Sequence, residues 1–317
     1  MNTINSQSNA MPDSPNNSHI NESRVISPAV LSAAKPMRWS IQRELWENRS
    51  IYLAPLAIAT LFLFGFAIST FRLPGKIRSS ELEPTRLHET IIQPYHLASL
   101  LIMGTTFIVA FFYCLDALYG ERRDRSILFW KSLPVSDLTT VLSKMAIPVI
   151  VLPLLTVAVT IATHWLMLLF SSIVILASGM KLAFLWTHLP LFQMWTMLFF
   201  HLLVVHGLYY APFYAWMLLV SGWARRAPIL WALLPPLAIG FVEKIAFNTS
   251  YFGKIIESHF LGNGDKIPFP ADNMGMHPLT LPNLIQFSSS PGLWIGLLIA
   301  AAFLAIAIRQ RRYQAPI

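Results

Sequence analysis

Six stretches of this chain are nearly free of Asp, Glu, Lys and Arg, and this constrains its fold more than any motif does. A helix that crosses the hydrocarbon core of a bilayer needs about 20 apolar residues. The stretches are Ile51 to Phe71, about Tyr95 to Leu115, the run between Lys144 and Lys181, the run between Lys181 and Arg225, Ala227 to Val242, and about Pro291 to Ile308. The third and fourth are longer than one span needs, so seven or eight crossings are the alternative to six. The fifth is short and is interrupted by Pro235-Pro236. The chain shows neither the alternation nor the hairpin spacing of a transmembrane β-barrel. The expected fold is all-α: a polytopic membrane helix bundle of six transmembrane helices, preceded by an N-terminal interfacial helix.

Composition agrees. Hydrophobic residues make up 55% of the chain and charged residues 12%, where a soluble domain carries roughly 25% charged. An ordinary cytosolic globular enzyme is excluded. The single cysteine, Cys114, leaves no disulfide framework and no CxxC metal site. A net charge of +8 in so apolar a chain points to loops facing cytoplasm and anionic lipid, and not to nucleic acid.

Residues 1–35 are rich in Asn, Ser and Pro and hold no apolar signal-peptide core. They read as a disordered cytoplasmic tail, with a second short tail at 313–317. With both termini inside, the cytoplasmic segments are 1–50, 116–144, 222–228 and 309–317. Those segments hold 15 of the 23 Lys and Arg residues, a moderate bias for this orientation.

Lys35 to Arg49 carries Met37, Ile41 and Leu45 on one stripe, Trp39 and Trp46 on another edge, and the cations Arg38 and Arg43. This pattern suits a helix lying along the membrane surface. A plain basic anchor beside the first span is the alternative.

Residues 116–144, DALYGERRDRSILFWKSLPVSDLTTVLSK, are the most informative. A short charged helix is expected over Glu121 to Lys131, with Ile127, Leu128 and Trp130 as its apolar edge. Leu133-Pro134 ends it, since the residue before proline is pushed out of the α region. Ser136 is placed to cap the next helix, with Asp137 in its positively polarised first turn. The third span is then expected to start inside the cytoplasm and rise into the membrane. So much charge and aromatic surface exceeds what a connector needs and reads as a docking face for another protein. A plain basic loop is the alternative.

The segment 248–290 is rich in Gly and Pro yet keeps apolar residues such as Phe252 and Ile256, so short re-entrant helices are expected there. Glu243 and Lys244 read as interfacial charges at the end of the fifth span. Chemistry-bearing motifs are sparse. There is no GxxxxGK[ST] and no HExxH. His201 and His206 are five apart, which does not align them on an α-helical face as a spacing of four would. No metal site and no catalytic residue is assigned. Gly262-Asn263-Gly264-Asp265 matches the GxGD of intramembrane aspartyl proteases, but Asp265 lies in an outer Pro/Gly-rich segment without a facing Asp, so chance explains it better.

The loop resembles that of the ABC-2 type permease subunits of bacterial ATP-binding-cassette transporters. The residues that carry the likeness are Glu121-Arg122-Arg123-Asp124-Arg125-Ser126, then Phe129-Trp130-Lys131-Ser132-Leu133-Pro134-Val135-Ser136-Asp137, then Lys144. Asp137 departs from the family, which often has a basic residue there. The wider likeness covers roughly residues 36–312: an amphipathic N-terminal helix, six spans and an outer insertion before the last.

The resemblance implies a bacterial inner-membrane, multi-pass protein that pairs with a second, identical or different, permease subunit and with a separate P-loop ATPase. It makes 116–144 the coupling loop and implies export of an unknown substrate. ATP and Mg would be bound by the ATPase, and no cofactor by this chain. A membrane-embedded lipid-modifying enzyme and an ion-gradient-driven secondary transporter are the alternatives.

Overall fold

The computed structural model describes residues 34–80, 84–132, 135–260 and 290–313. Both terminal tails, Leu133-Pro134 and the Gly262–Asp265 motif lie outside the described residues. Among the described residues the chain is all-helical. Six runs are long and apolar enough to cross a membrane: Ser50–Thr70, Glu89–Arg123, Asp137–Ala177, Leu191–Tyr209, Pro228–Phe247 and Pro291–Tyr313. The protein is a polytopic membrane helix bundle.

In chain order, α1 is Ala34–Glu47 and α2, the first span, is Ser50–Thr70. The short α3 is Leu73–Ser80, and α4, Pro84–Asp116, holds the second span. Two short helices follow, α5 (Tyr119–Arg123) and α6 (Ser126–Ser132). The third span is built from α7 (Asp137–Ala146), a π-helical turn (Ile147–Val151) and α8 (Leu152–Ala177). After α9 (Ala183–His188) comes the fourth, with α10 (Leu191–Phe200), a π-helical stretch (His201–Tyr209) and α11 (Ala211–Trp223). The fifth span is α12 (Pro228–Phe247), followed by α13 (Tyr251–Phe260), and α14 (Pro291–Tyr313) is the sixth.

The main core joins α4, α7, α11 and α14 around buried Tyr113, Cys114, Met145, Tyr214, Leu218 and Ala300. A second core, around Tyr95, Met167, Leu168 and Met194, joins α2, α4, α8 and α10 at the other end of the bundle. The large side chains left exposed, among them Leu61, Phe64, Leu237 and Phe241, face outward where hydrocarbon is the solvent.

Three expectations are corrected. The charged helix over Glu121 to Lys131 is two helices, broken where Arg125 takes the left-handed φ of 58°. In an unbroken helix Glu121 and Ile127, six residues apart, would point about 120° away from each other. The break lets both be buried.

The fifth span runs to Phe247 and keeps Pro235 and Pro236 inside the helix. Pro236 has no N–H to give the Ala232 carbonyl, and Trp216 Nε1 donates to that carbonyl at 3.0 Å instead. A neighbouring span thus satisfies what the proline frees.

His201 and His206 do share a face, with ring centroids 5.2 Å apart. The backbone there is π-helical, and i→i+5 bonding brings residues five apart into register. Both π segments meet at one place, where a Cβ on Gly207 would sit 2.7 Å from the Val149 carbonyl oxygen.

Candidate functional site

The site begins with a helix start. Ser136 has extended backbone, and its Oγ accepts from the Thr139 N–H at 3.1 Å. The cap fixes where α7 begins, so Asp137 falls in the first turn and Lys144 two turns on, pointing inward and 2% exposed. The sequence anticipates this cap and the third span's start outside the apolar region.

Around Lys144 lies a cluster of charged side chains, three cations and three carboxylates, with the exposed Glu47 at its edge 3.6 Å from Arg43 Nε. Lys144 Nζ donates to Glu44 Oε1 at 2.8 Å and stands 3.1 Å from Glu121 Oε1. Arg43 Nη2 reaches the same Glu44 oxygen at 2.6 Å and Glu121 Oε1 at 3.1 Å. Arg311 Nη1 donates to Glu121 Oε2, and its Nε donates to Asp137 Oδ1 at 3.1 Å. Tyr113 Oη donates to Glu44 Oε2 at 2.9 Å. Glu44, Glu121, Lys144 and Arg311 are all buried.

Burial alone would raise the Glu44 carboxyl. Lys144 and Arg43 outweigh it and hold Glu44 below the usual carboxylate range. The cluster ties together α1, α5, α7 and the last turn of α14, elements far apart in sequence.

A second set of bonds fastens the loop to the fourth span. Arg122 Nη1 donates to the Gly222 and Ala224 carbonyls at 2.6 and 3.1 Å. Ser221 Oγ accepts from the Leu118 and Tyr119 N–H groups at 2.9 and 2.8 Å. The loop between the second and third spans is therefore packed into the bundle, and α6 is the part that stands out from it.

The expected docking residues divide by this packing. Glu121 and Arg122 face inward as described. Asp137 is held by Arg311, and Trp130 is half-buried with the Arg43 guanidinium 3.9 Å from its ring centroid. Arg123, Asp124, Arg125, Lys131 and Ser136 are exposed, and Arg123 pairs with Asp124 at 2.9 Å. Phe129 is 60% exposed, as is Leu128 beside it. Leu133 and Pro134 lie outside the described residues. On α1, Arg38, Trp39 and Trp46 are exposed, while Arg43, Ile41 and Leu45 face the bundle.

Sequence reading passed over two partners. Glu44 lies among the surface charges of α1, and Arg311 lies in a cluster that reads only as a stop to the last span. Their signal was weak: Glu44 falls beside Ile41 and Leu45 on the helix face that carries the aliphatic stripe. Glu243 is also more than an interfacial charge. It accepts from Thr249 Oγ1 and from the Tyr251 and Phe252 N–H groups at 2.9, 2.6 and 2.8 Å, so it caps α13 and sets the turn after the fifth span. Among the described residues no group of three or more His, Cys, Asp and Glu converges as metal ligands would.

Comparison of the chain with family models, with curated proteins and with solved structures gives no match.

Proposed function

We propose that this chain is the permease subunit of an ABC-2 type transporter in a bacterial inner membrane. In this reading it forms the substrate path, and the loop carrying α5 and α6 couples it to a separate ATPase. The observation that carries the reading is the two-sided build of that loop. One side presents Leu128 and Phe129 to the outside, each 60% exposed, and the cations Arg123, Arg125 and Lys131 on the same loop are exposed too. The other side is fixed through Glu121 to α1, α7 and α14 and through Arg122 to the end of α11.

A force applied to α6 would therefore move several spans together. An apolar anchor inside a charged rim is a common form of protein contact. The chain has no P-loop, so the energy would come from the partner, which binds ATP and Mg. Both termini are cytoplasmic in this reading, and a second permease copy or homologue completes the path.

The test is purification of the tagged chain from its host in mild detergent, with its companions identified by mass spectrometry. The expected companion is a stoichiometric P-loop ATPase whose hydrolysis depends on this chain and which is lost from Leu128→Asp and Phe129→Asp variants. A chain that purifies alone under gentle crosslinking overturns the reading.

One observation favours a gradient-driven secondary transporter instead. His201 and His206 meet within the fourth span, and ionisable groups inside a span are candidates for a transport path. Substrate uptake driven by an ion gradient in ATP-free vesicles would select that second reading.

A further inference from the structure

Where the two π-helical segments meet, the second, third and fourth spans leave a small cavity between them. Thr106 and Phe107 on α4, Pro148 on the first π-helical segment, His206 on the second and Tyr214 on α11 line it. It offers about 10 Å³ to a water-sized sphere, and one water needs roughly 10–15 Å³. That is room for one water and too little for an organic ligand. Thr106 stands midway along the second span, Glu89–Arg123. Bulk water does not reach that depth of a bilayer, so each polar atom there must find its partner inside the protein.

His206 Nδ1 is buried and has no hydrogen-bond partner among the described residues. Phe107 and Tyr210, both edge-on at 6.1 and 5.3 Å between ring centroids, hold its imidazole in place. A buried polar atom left unpaired is uncommon and calls for a partner.

Two further polar groups line the same cavity. Thr106 Oγ1 donates to the Ile102 carbonyl at 2.9 Å and stands 2.9 Å from Thr156 Oγ1. A hydroxyl oxygen accepts up to two bonds, so Thr106 keeps one acceptor position. Tyr214 is 1% exposed, and no described residue bonds its hydroxyl, although a buried tyrosine hydroxyl usually finds a partner.

We propose that this cavity is a binding site for one ordered water at the centre of the membrane. The water donates to His206 Nδ1 and to Thr106 Oγ1 and accepts from the Tyr214 hydroxyl. Three bonds are the usual number for a buried water, and with them all three groups are satisfied. The assignment puts the imidazole proton of His206 on Nε2. Through Thr106 and its neighbour Thr156, the water links the second, third and fourth spans. The site requires only the membrane-spanning fold and stands apart from the permease reading.

The experiment places the full chain in nanodiscs and gives it a brief X-ray pulse, which makes hydroxyl radicals from water where the water stands. Oxidised residues are mapped by mass spectrometry. The expected result is oxidation of Tyr214 severalfold above that of Met167, which is 0% exposed in the second core and is by nature an easily oxidised side chain. His206→Phe keeps a ring in place and removes Nδ1, and Thr106→Val removes the acceptor at similar volume. An apolar cavity stays dry, so each variant should cut Tyr214 oxidation severalfold while melting cooperatively like the wild type. Tyr214 oxidised no more than Met167 in the wild type overturns the site, and that measurement needs no variant to fold. Undiminished oxidation in a variant that still melts cooperatively overturns the assignment of the group it removes. Oxidation of Tyr95, 2% exposed in the second core, equal to that of Tyr214 marks water running through the bundle and overturns the single held water.

Discussion

Lys144 Nζ lies 2.8 Å from Glu44 Oε1 across 100 residues of sequence, with the two side chains 2% and 1% exposed. This pair joins α1 to the foot of the third span. Removing one partner of a buried pair leaves an uncompensated charge and costs about 3–5 kcal/mol, whereas replacing both with apolar residues of similar size is often neutral. Glu44→Leu is therefore expected to lower thermal stability in detergent strongly. The double variant Glu44→Leu with Lys144→Met should recover part of the loss. Recovery will be incomplete, because Glu121 then loses Lys144 and keeps Arg43 and Arg311. Unfolding midpoints by tryptophan fluorescence check both.

The same pair sets a pH limit. Burial acts to raise the Glu44 carboxyl, yet Lys144 and Arg43 bring it below its ordinary value of 4.5. A carboxylate lowered in the folded state stabilises above its unfolded pKa, and that contribution is lost as pH falls through the folded value. The wild type should hold its midpoint from neutrality down to about the ordinary carboxylate range and lose stability below it. Glu44→Gln, already weakened at neutrality, should converge on the wild type in acid. A constant difference across that range would contradict the assignment.

Trp130 and Phe129 are adjacent but face different tasks. Trp130 stacks on Arg43 at 3.9 Å, while Phe129 is exposed. Trp130→Ala should cost about 0.5–2 kcal/mol of stability. Phe129→Ala loses an edge-on ring contact with Trp130 at 4.9 Å, but Phe129 is exposed, so the change should cost less stability than Trp130→Ala, about 0.5 kcal/mol, and should reduce binding of the proposed partner. Paired melting curves and pull-down yields separate the two.

The Trp216 indole N–H ties span five to the fourth at its proline pair. Trp216→Phe removes the donor to the Ala232 carbonyl, and the loss is expected to be about 0.6–2 kcal/mol. It should appear as faster hydrogen exchange around 231–236. Gly207→Ala should cost about 1–3 kcal/mol, since its Cβ would meet the Val149 carbonyl oxygen at 2.7 Å, a backbone atom that yields little.

What was legible in the sequence follows from what each feature depends on. The spans could be read because hydrocarbon tolerates so few charges, and the Ser136 cap because its signal is local. The break at Arg125 could not, because it answers a tertiary demand: both Glu121 and Ile127 must be buried. The pairing of His201 with His206 was missed because α-helical spacing was assumed where the backbone is π-helical. The charge cluster was half legible. Glu121, Lys144 and Asp137 stand out in the loop, but Glu44 and Arg311 look like surface charges until the fold brings α1 and the last turn of α14 to one place.

In the proposed reading, the outer face of α6 receives a nucleotide-binding partner. A photo-crosslinking amino acid placed at position 129, in cells of the native host, tests it most directly. Position 192 on α10 is the control, since Phe192 is 80% exposed at the other end of the bundle. The expected result is an adduct with a P-loop ATPase from position 129 and none from 192. Adducts with lipid alone from both positions, or the ATPase trapped equally from both, would contradict it.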